Sequence, residues 1–298
     1  MPRIELERLF TMMQNAPQAQ SIQELRRNLD MFAPFMNAGA PAVARVVEQV
    51  MVAPGVSADI IVPPGPLPLP TLIYLHGGGW AVGSPATHGK LARQLAVGAG
   101  MVVVNVAYRL APEHPFPTGA DDCIAAARWT RDNITQYGGD PQRVAIGGDS
   151  AGGNLSAVVI TSLAHEMQFC AALLLYGAFD LSGFDHITAA LLEDPILPRW
   201  MIELMMGAYV TPGVDPADPR VSPLKADLGR FPPACLIVGG ADPIVEQSIA
   251  MCEALRMRGR SATLHGFDGM PHGFLQFPVS DAVAALRTAC TFLRTHVS

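Results

Sequence analysis

Five short runs set the architecture of this chain: TLIYLH (71–76), MVVVNVAY (101–108), RVAIGG (143–148), AALLLYG (171–177) and ACLIVGG (234–240), followed by the less apolar SATLHGF (261–267). They do not alternate apolar with polar. A strand without a polar face must be covered on both sides, which predicts a mostly parallel sheet wrapped by helices, an α/β fold. The intervening stretches near 86–98, 118–136, 151–165, 246–258 and 280–295 carry the helical period that crossovers need. Half of the residues are hydrophobic and 15% are charged. Even so, Gly, Asn, His or a charge breaks each apolar run before the roughly 20 residues of a membrane span.

Two regions depart from this alternation. Residues 3–16 and 19–33 read as two helices, with Ile22, Leu25, Leu29, Phe32 and Met36 near one face and Pro34 interrupting. Residues 182–215 insert LLEDPILPRWMIELMMGAYV (191–210), which carries an apolar helical face around Trp200 and Leu204. Ahead of the first apolar run, Val46–Val52 and Ser57–Val62 flank Ala53-Pro54-Gly55 and predict an antiparallel hairpin. PPGPLPLP (63–70) then reads as a stiff loop.

The chemistry centres on GGDSAGGN (147–154). It lies between an apolar run and a helical pattern, the context in which G-x-S-x-G marks a strained nucleophile turn. Such a turn needs glycine on both sides of Ser150, because side chains at Gly148 and Gly152 would meet the neighbouring strand and helix. HGGGW (76–80) directly follows another predicted strand. Alone it is explicable as a glycine turn. Beside Ser150 it reads as an oxyanion hole, with the N–H groups of Gly77 and Gly78 joining that of Ala151, and with His76 holding the loop. Asp242, in GGADPIVE after ACLIV, and His272, in GMPHGF after the last predicted strand, complete the order Ser, Asp, His. The roles assigned are nucleophile, orienter and base. The other seven histidines are spread singly, and neither a metal nor a cofactor is expected.

Composition narrows the partners. A net charge of −6 disfavours nucleic acid. Cys123, Cys170, Cys235, Cys252 and Cys290 are scattered without a C-x-x-C pair, which suggests free thiols in a reducing compartment. MPRIELERLF has no apolar core, so no signal peptide is read there. Together these point to a cytoplasmic protein acting on a small molecule.

HGGGW, YRLAPEHPFP (108–117), GDSAGGN, DP-x-x-E (242–246) and GMPHGF, in that order, make the chain from about residue 45 onward resemble the hormone-sensitive-lipase-like esterases. These form bacterial lipolytic family IV, and the match is to their GDSAG branch. The resemblance implies an α/β-hydrolase core, residues 46–181 and 216–298, under a helical cap built from residues 1–45 and 182–215. It implies carboxylester hydrolysis through an acyl-enzyme, with short- to medium-chain acyl groups entering a pocket walled by Trp80, Phe32, Met36, Trp200, Met205 and Phe274. It makes Tyr108–Pro117 a buttress of the HGGG loop. It leaves a homodimer open, since family members often pair through the last strand and the helix after it. Two positions depart from the pattern: Gly177 stands where proline is usual, and Gln247 where a second acidic residue is common. The same triad would also support amide hydrolysis, and some relatives are binding proteins lacking a catalytic residue.

Overall fold

The computed structural model describes residues 19–182 and 196–297. The expected helix at 3–16 and most of the 182–195 stretch lie outside the described residues. Strands β1 (Arg45–Ala53) and β2 (Val56–Val62) form the expected antiparallel hairpin, and β2 pairs antiparallel with β4 (Val102–Ala107). β3 (Leu69–Leu75), β4, β5 (Gly139–Asp149), β6 (Ala172–Leu175), β7 (Ala234–Gly239) and β8 (Ala262–Phe267) are mutually parallel, giving one eight-stranded sheet in the order β1-β2-β4-β3-β5-β6-β7-β8.

The inner strands β3 to β7 are largely buried on both faces, their side chains alternating between two cores. Ile73, Leu75, Val104, Ile146 and Leu174 point into one core with the helices α3 (Thr118–Asn133), α4 (Ala151–Ser162) and α6 (Val245–Met257). Leu72, Tyr74, Val103, Leu173 and Cys235 point into the other with α2 (Gly89–Ala99) and α7 (Ser280–His296). This explains why the runs read as continuously apolar.

Helix α1 (Ile22–Met36) corrects one expectation, because Pro34 lies inside it and does not end it. Proline in the last turn forgoes a single backbone bond. Asn37 closes the helix, its N–H and its Nδ2 both donating to the Ala33 carbonyl. The same side chain accepts from Lys90 N at 2.6 Å and so ties the end of α1 to the start of α2. Helix α5 (Arg199–Tyr209) supplies the apolar face expected in the inserted region. No helix among the described residues is long and apolar enough to cross a membrane.

The chain moves outward from β3 to β4 and then returns across β3 to β5. A sheet that reverses its winding in this way opens a crevice beyond the carboxyl ends of the two strands at the switch. Residues 76–80 leave β3 and Ser150 leaves β5, so both motifs enter that crevice.

Candidate active site

Ser150 is the single residue between β5 and α4. Its φ of 54° and ψ of −118° are strained for a side-chain-bearing residue. Donation from Ser150 N to Leu175 O (2.8 Å) and from Asn154 N to Ser150 O (3.2 Å) holds the conformation. A Cβ on Gly152 would overlap the Leu75 and His76 carbonyls, and one on Gly148 would overlap the Leu75 carbonyl and the Gly152 backbone. The flanking glycines are therefore required by contact with the end of β3.

Asp242 and His272 sit on loops that are laced together at the ends of β7 and β8. Gly240 N donates to Phe267 O (2.8 Å) and Ala241 N to Met270 O (3.0 Å). This juxtaposition brings His272 Nδ1 to 2.8 Å from Asp242 Oδ2 and His272 Nε2 to 2.9 Å from Ser150 Oγ. A carboxylate only accepts, so Nδ1 carries the proton and the bare Nε2 accepts the Ser150 hydroxyl. Asp242 Oδ1 is satisfied by Ile244 N at 2.9 Å, and both Asp242 and His272 are buried.

The glycine loop differs from the expectation. Gly77 N donates to Asp149 Oδ1 at 3.0 Å, so this N–H is not free for a substrate oxygen. Its glycine has another cause: an added Cβ would lie 2.5 Å from Asp149 Oδ2 and 2.8 Å from Asp149 O. Among the described residues, the N–H groups of Gly78, Gly79 and Ala151 have no acceptor. Gly79 replaces Gly77 in the candidate donor set. The signal that separates them, a carboxylate one strand away in space, is invisible in a run of three identical residues.

The loop rests on a buried polar layer. Tyr108 stacks on His76 (4.3 Å between ring centres) and donates to His76 O at 2.8 Å. Ala111 N donates to Trp80 O at 2.9 Å, so the 108–117 stretch does buttress this loop. Burial, and then the nearby His88, push the His76 pKa down to about 3. Neutral His76 makes a 2.8 Å hydrogen bond from Nδ1 to Gly77 O, a loop-holding role.

Above Ser150, α1 and α5 meet the residues after the glycine loop. Ile22, Ala81, Val82, Leu197, Ile202 and Met205 form a cluster, with Leu25 and Leu29 packed against it. Arg26, which the sequence did not single out, donates to Ala81 O (2.8 Å) and Ala111 O (2.7 Å) and pairs with Glu113 (2.8 Å). It fastens α1 over the loop.

A cavity of about 30 Å³ beside Ser150 is lined by Gly79, Trp80, Ala178, Leu197, Ile202, Met205, Met206 and Ile244. Trp80 and Met205, two of the expected pocket residues, line it. The other four expected pocket residues do not line it. Phe32 is 52% exposed, since the buried face of α1 is the one carrying Ile22, Leu25 and Leu29. Met36, one turn further on, is half-buried outside that cluster, and so is Trp200 on α5. Phe274 is fully buried in the core beneath the site, with Tyr176 and Phe267. A larger cavity of about 280 Å³, among Met167, Phe169, Arg230 and Arg260, opens at the amino ends of the strands and holds no nucleophile or base.

The two departures from the family pattern belong together. A Cβ on Gly177 would strike the Phe179 ring, so glycine lets that ring tuck into the core. Gln247 Oε1 accepts from Phe179 N (2.6 Å) and Asp180 N (2.9 Å), while Nε2 donates to Asp180 O (3.1 Å). A carboxylate could not make the last bond and would crowd Asp180.

The family model described as the alpha/beta hydrolase fold matches residues 72–276. This chain belongs to the α/β hydrolase fold family. Carboxylesterase NlhH of Mycobacterium tuberculosis is 41% identical to it over 230 residues, covering 74% of this chain and 71% of that one. Among solved structures of the fold, the hyperthermophilic esterase from Pyrobaculum calidifontis superposes with a TM-score of 0.91 at 29% identity, covering 97% of each chain. EstE1, a thermostable carboxylesterase cloned from a metagenomic library, superposes at 0.86 with 35% identity, covering 95% of this chain and all of its own. These family members are esterases by name.

Proposed function

We propose that this α/β hydrolase is a serine carboxylesterase acting on short- to medium-chain acyl esters. The observation that carries the reading is the continuous chain Asp242–His272–Ser150, at 2.8 and 2.9 Å, beside three backbone N–H groups without acceptors. Ser150 Oγ attacks the ester carbonyl while His272 Nε2 takes its proton. Asp242 holds the imidazole and stabilises the imidazolium. The tetrahedral oxyanion draws on the N–H groups of Gly78, Gly79 and Ala151, the last at the positive end of α4. Collapse expels the alcohol with the proton from His272. Water, deprotonated by the same imidazole, then attacks the acyl-enzyme and releases the acid and free Ser150.

In this reading α1 and α5, the described helices of the regions expected to form a cap, roof the site, supported by their cluster over the glycine loop. The cavity beside Ser150 has room for about two water molecules, since one needs roughly 10–15 Å³. An acetyl group fits as the side chains stand, and longer chains displace Met205 and Met206, whose unbranched thioethers adapt readily. A cytoplasmic location is supported by the five free cysteines. A homodimer through β8, the sheet's edge strand, and α7 is the corresponding proposal for assembly.

A series of p-nitrophenyl esters from two to sixteen carbons, run beside matched aryl amides, tests the reading. Activity should peak at six carbons or fewer, fall steeply by twelve, and be far weaker on amides. Best turnover of the palmitate, a jump in rate at the emulsion point, or faster amide hydrolysis would each refute it.

A further inference from the structure

Asp149, the residue before the nucleophile, is fully buried and has no part in the proton relay described above. Three elements converge on its carboxylate. Tyr74 OH donates to Oδ1 at 2.5 Å, Gly77 N donates to Oδ1 at 3.0 Å, and His88 Nε2 lies 3.4 Å from Oδ2. One carboxylate thus joins the end of β5, which carries Ser150, to the first residue of the glycine loop.

His88 is held in turn by its neighbours. Thr87 Oγ1 accepts from Ser84 N (2.9 Å), reaches Ser84 O at 3.0 Å and lies 2.8 Å from His88 Nδ1. The His76 ring stands 5.4 Å from that of His88 between ring centres.

We propose that the buried Asp149 carboxylate, flanked by Tyr74 and His88, positions the oxyanion loop by holding Gly77, so that Gly78 and Gly79 present their N–H groups to the tetrahedral intermediate. The carboxylate touches no substrate, and the inference rests on the esterase reading of the same site. A carboxylate at this depth is costly unless its oxygens are hydrogen-bonded, and Tyr74 OH and Gly77 N both meet Oδ1. The burial that opposes ionisation is overcome by the neighbouring His88 and by these hydrogen bonds, so the Asp149 pKa lies below the usual carboxylate range.

Kinetics and labelling of the full chain test this. On p-nitrophenyl acetate, Asp149→Asn should lower kcat by about 10- to 100-fold with KM within about twofold, because mispresented oxyanion donors act on the transition state. Unchanged kcat, or a loss carried by KM, contradicts the positioning role. If Asp149→Asn does not fold, His88→Gln faces the same kinetic criterion. Labelling of wild-type Ser150 by a fluorophosphonate separates the two ideas. If Ser150 fails to label, the esterase reading fails; if it labels while Asp149→Asn keeps the full kcat, the positioning role alone fails.

Discussion

Around Ser150 the floor and the roof of the site are held by different kinds of constraint. The floor is backbone. Gly148 and Gly152 are forced by contact with the Leu75 carbonyl, Gly77 by the Asp149 carboxylate, and the Asp242 and His272 loops by main-chain bonds to one another. The roof is side chain. Met205 lies over Gly79, Leu197 and Ile202 close the cavity, and the Arg26 guanidinium fastens α1 to the loop below. Rigid main chain fixes where the reacting atoms stand, while long side chains with several rotamers decide what fits above them. Chemistry and selectivity should therefore respond separately to mutation.

The largest effect is expected in the floor's reacting atoms. Ser150→Ala should lower kcat on p-nitrophenyl butyrate by on the order of 10⁶-fold, and His272→Ala comparably, since triad members act as a unit. Asp242→Asn should lose about 10⁴-fold through the wrong tautomer. All three should melt near the wild-type temperature. A Ser150→Ala protein that kept a tenth of the activity would remove the floor's central atom from the account.

Next comes a single methyl group in the floor. Gly152→Ala drives a Cβ into two carbonyls, and overpacking of this kind costs about 3 kcal/mol or more. Urea unfolding should show that loss together with near-complete inactivation. A stable, active Gly152→Ala protein would mean that the turn is not fixed by contact.

In the roof, a larger deletion should do less. Met205→Ala enlarges the cavity, and each further methylene buried contributes about 0.8 kcal/mol, roughly fourfold in kcat/KM. The variant should shift its optimum toward longer acyl chains while keeping kcat on the acetate within about tenfold. An unchanged chain-length profile would show that Met205 does not bound the pocket.

The smallest consequence at neutral pH lies beneath the floor. His76 has a folded pKa of about 3 against a reference value of 6.5. Between those values the unfolded chain binds a proton there that the folded chain does not. Stability from this group is thus complete above about pH 6.5 and is lost as pH falls, by up to about 1.4 kcal/mol per unit. Unfolding measured from pH 7 to 4 should show this slope, reduced in His76→Asn. An equal slope in both proteins would contradict the depressed pKa.

The same contrast explains what was legible in the sequence. The strands declared themselves because both faces of the sheet are covered, and Ser150, Asp242 and His272 because each follows a strand end with glycines beside it. Their assembly depends on topology that those patterns specify. The pocket wall was harder to read. Phe32, Met36 and Trp200 share a helical stripe with residues that are buried, but which edge of the stripe faces inward depends on how α1 and α5 dock, and that is set partly by Arg26. Gly77 cannot be told from Gly78 and Gly79 for a related reason: three adjacent glycines look alike until Asp149 approaches one of them. Phe274 lies two residues from His272, yet it points down into the core.

The central claim is that Ser150 carries the acyl group during turnover. Mixing the protein with p-nitrophenyl acetate, quenching in acid within milliseconds and mapping the peptides by mass spectrometry measures this directly. One acetyl group should appear on the peptide containing Ser150, should accumulate in His272→Ala no faster than the residual turnover allows, and should be absent from Ser150→Ala. Ester hydrolysis at the wild-type rate with the label on another residue, or continuing undiminished in Ser150→Ala, would contradict the account.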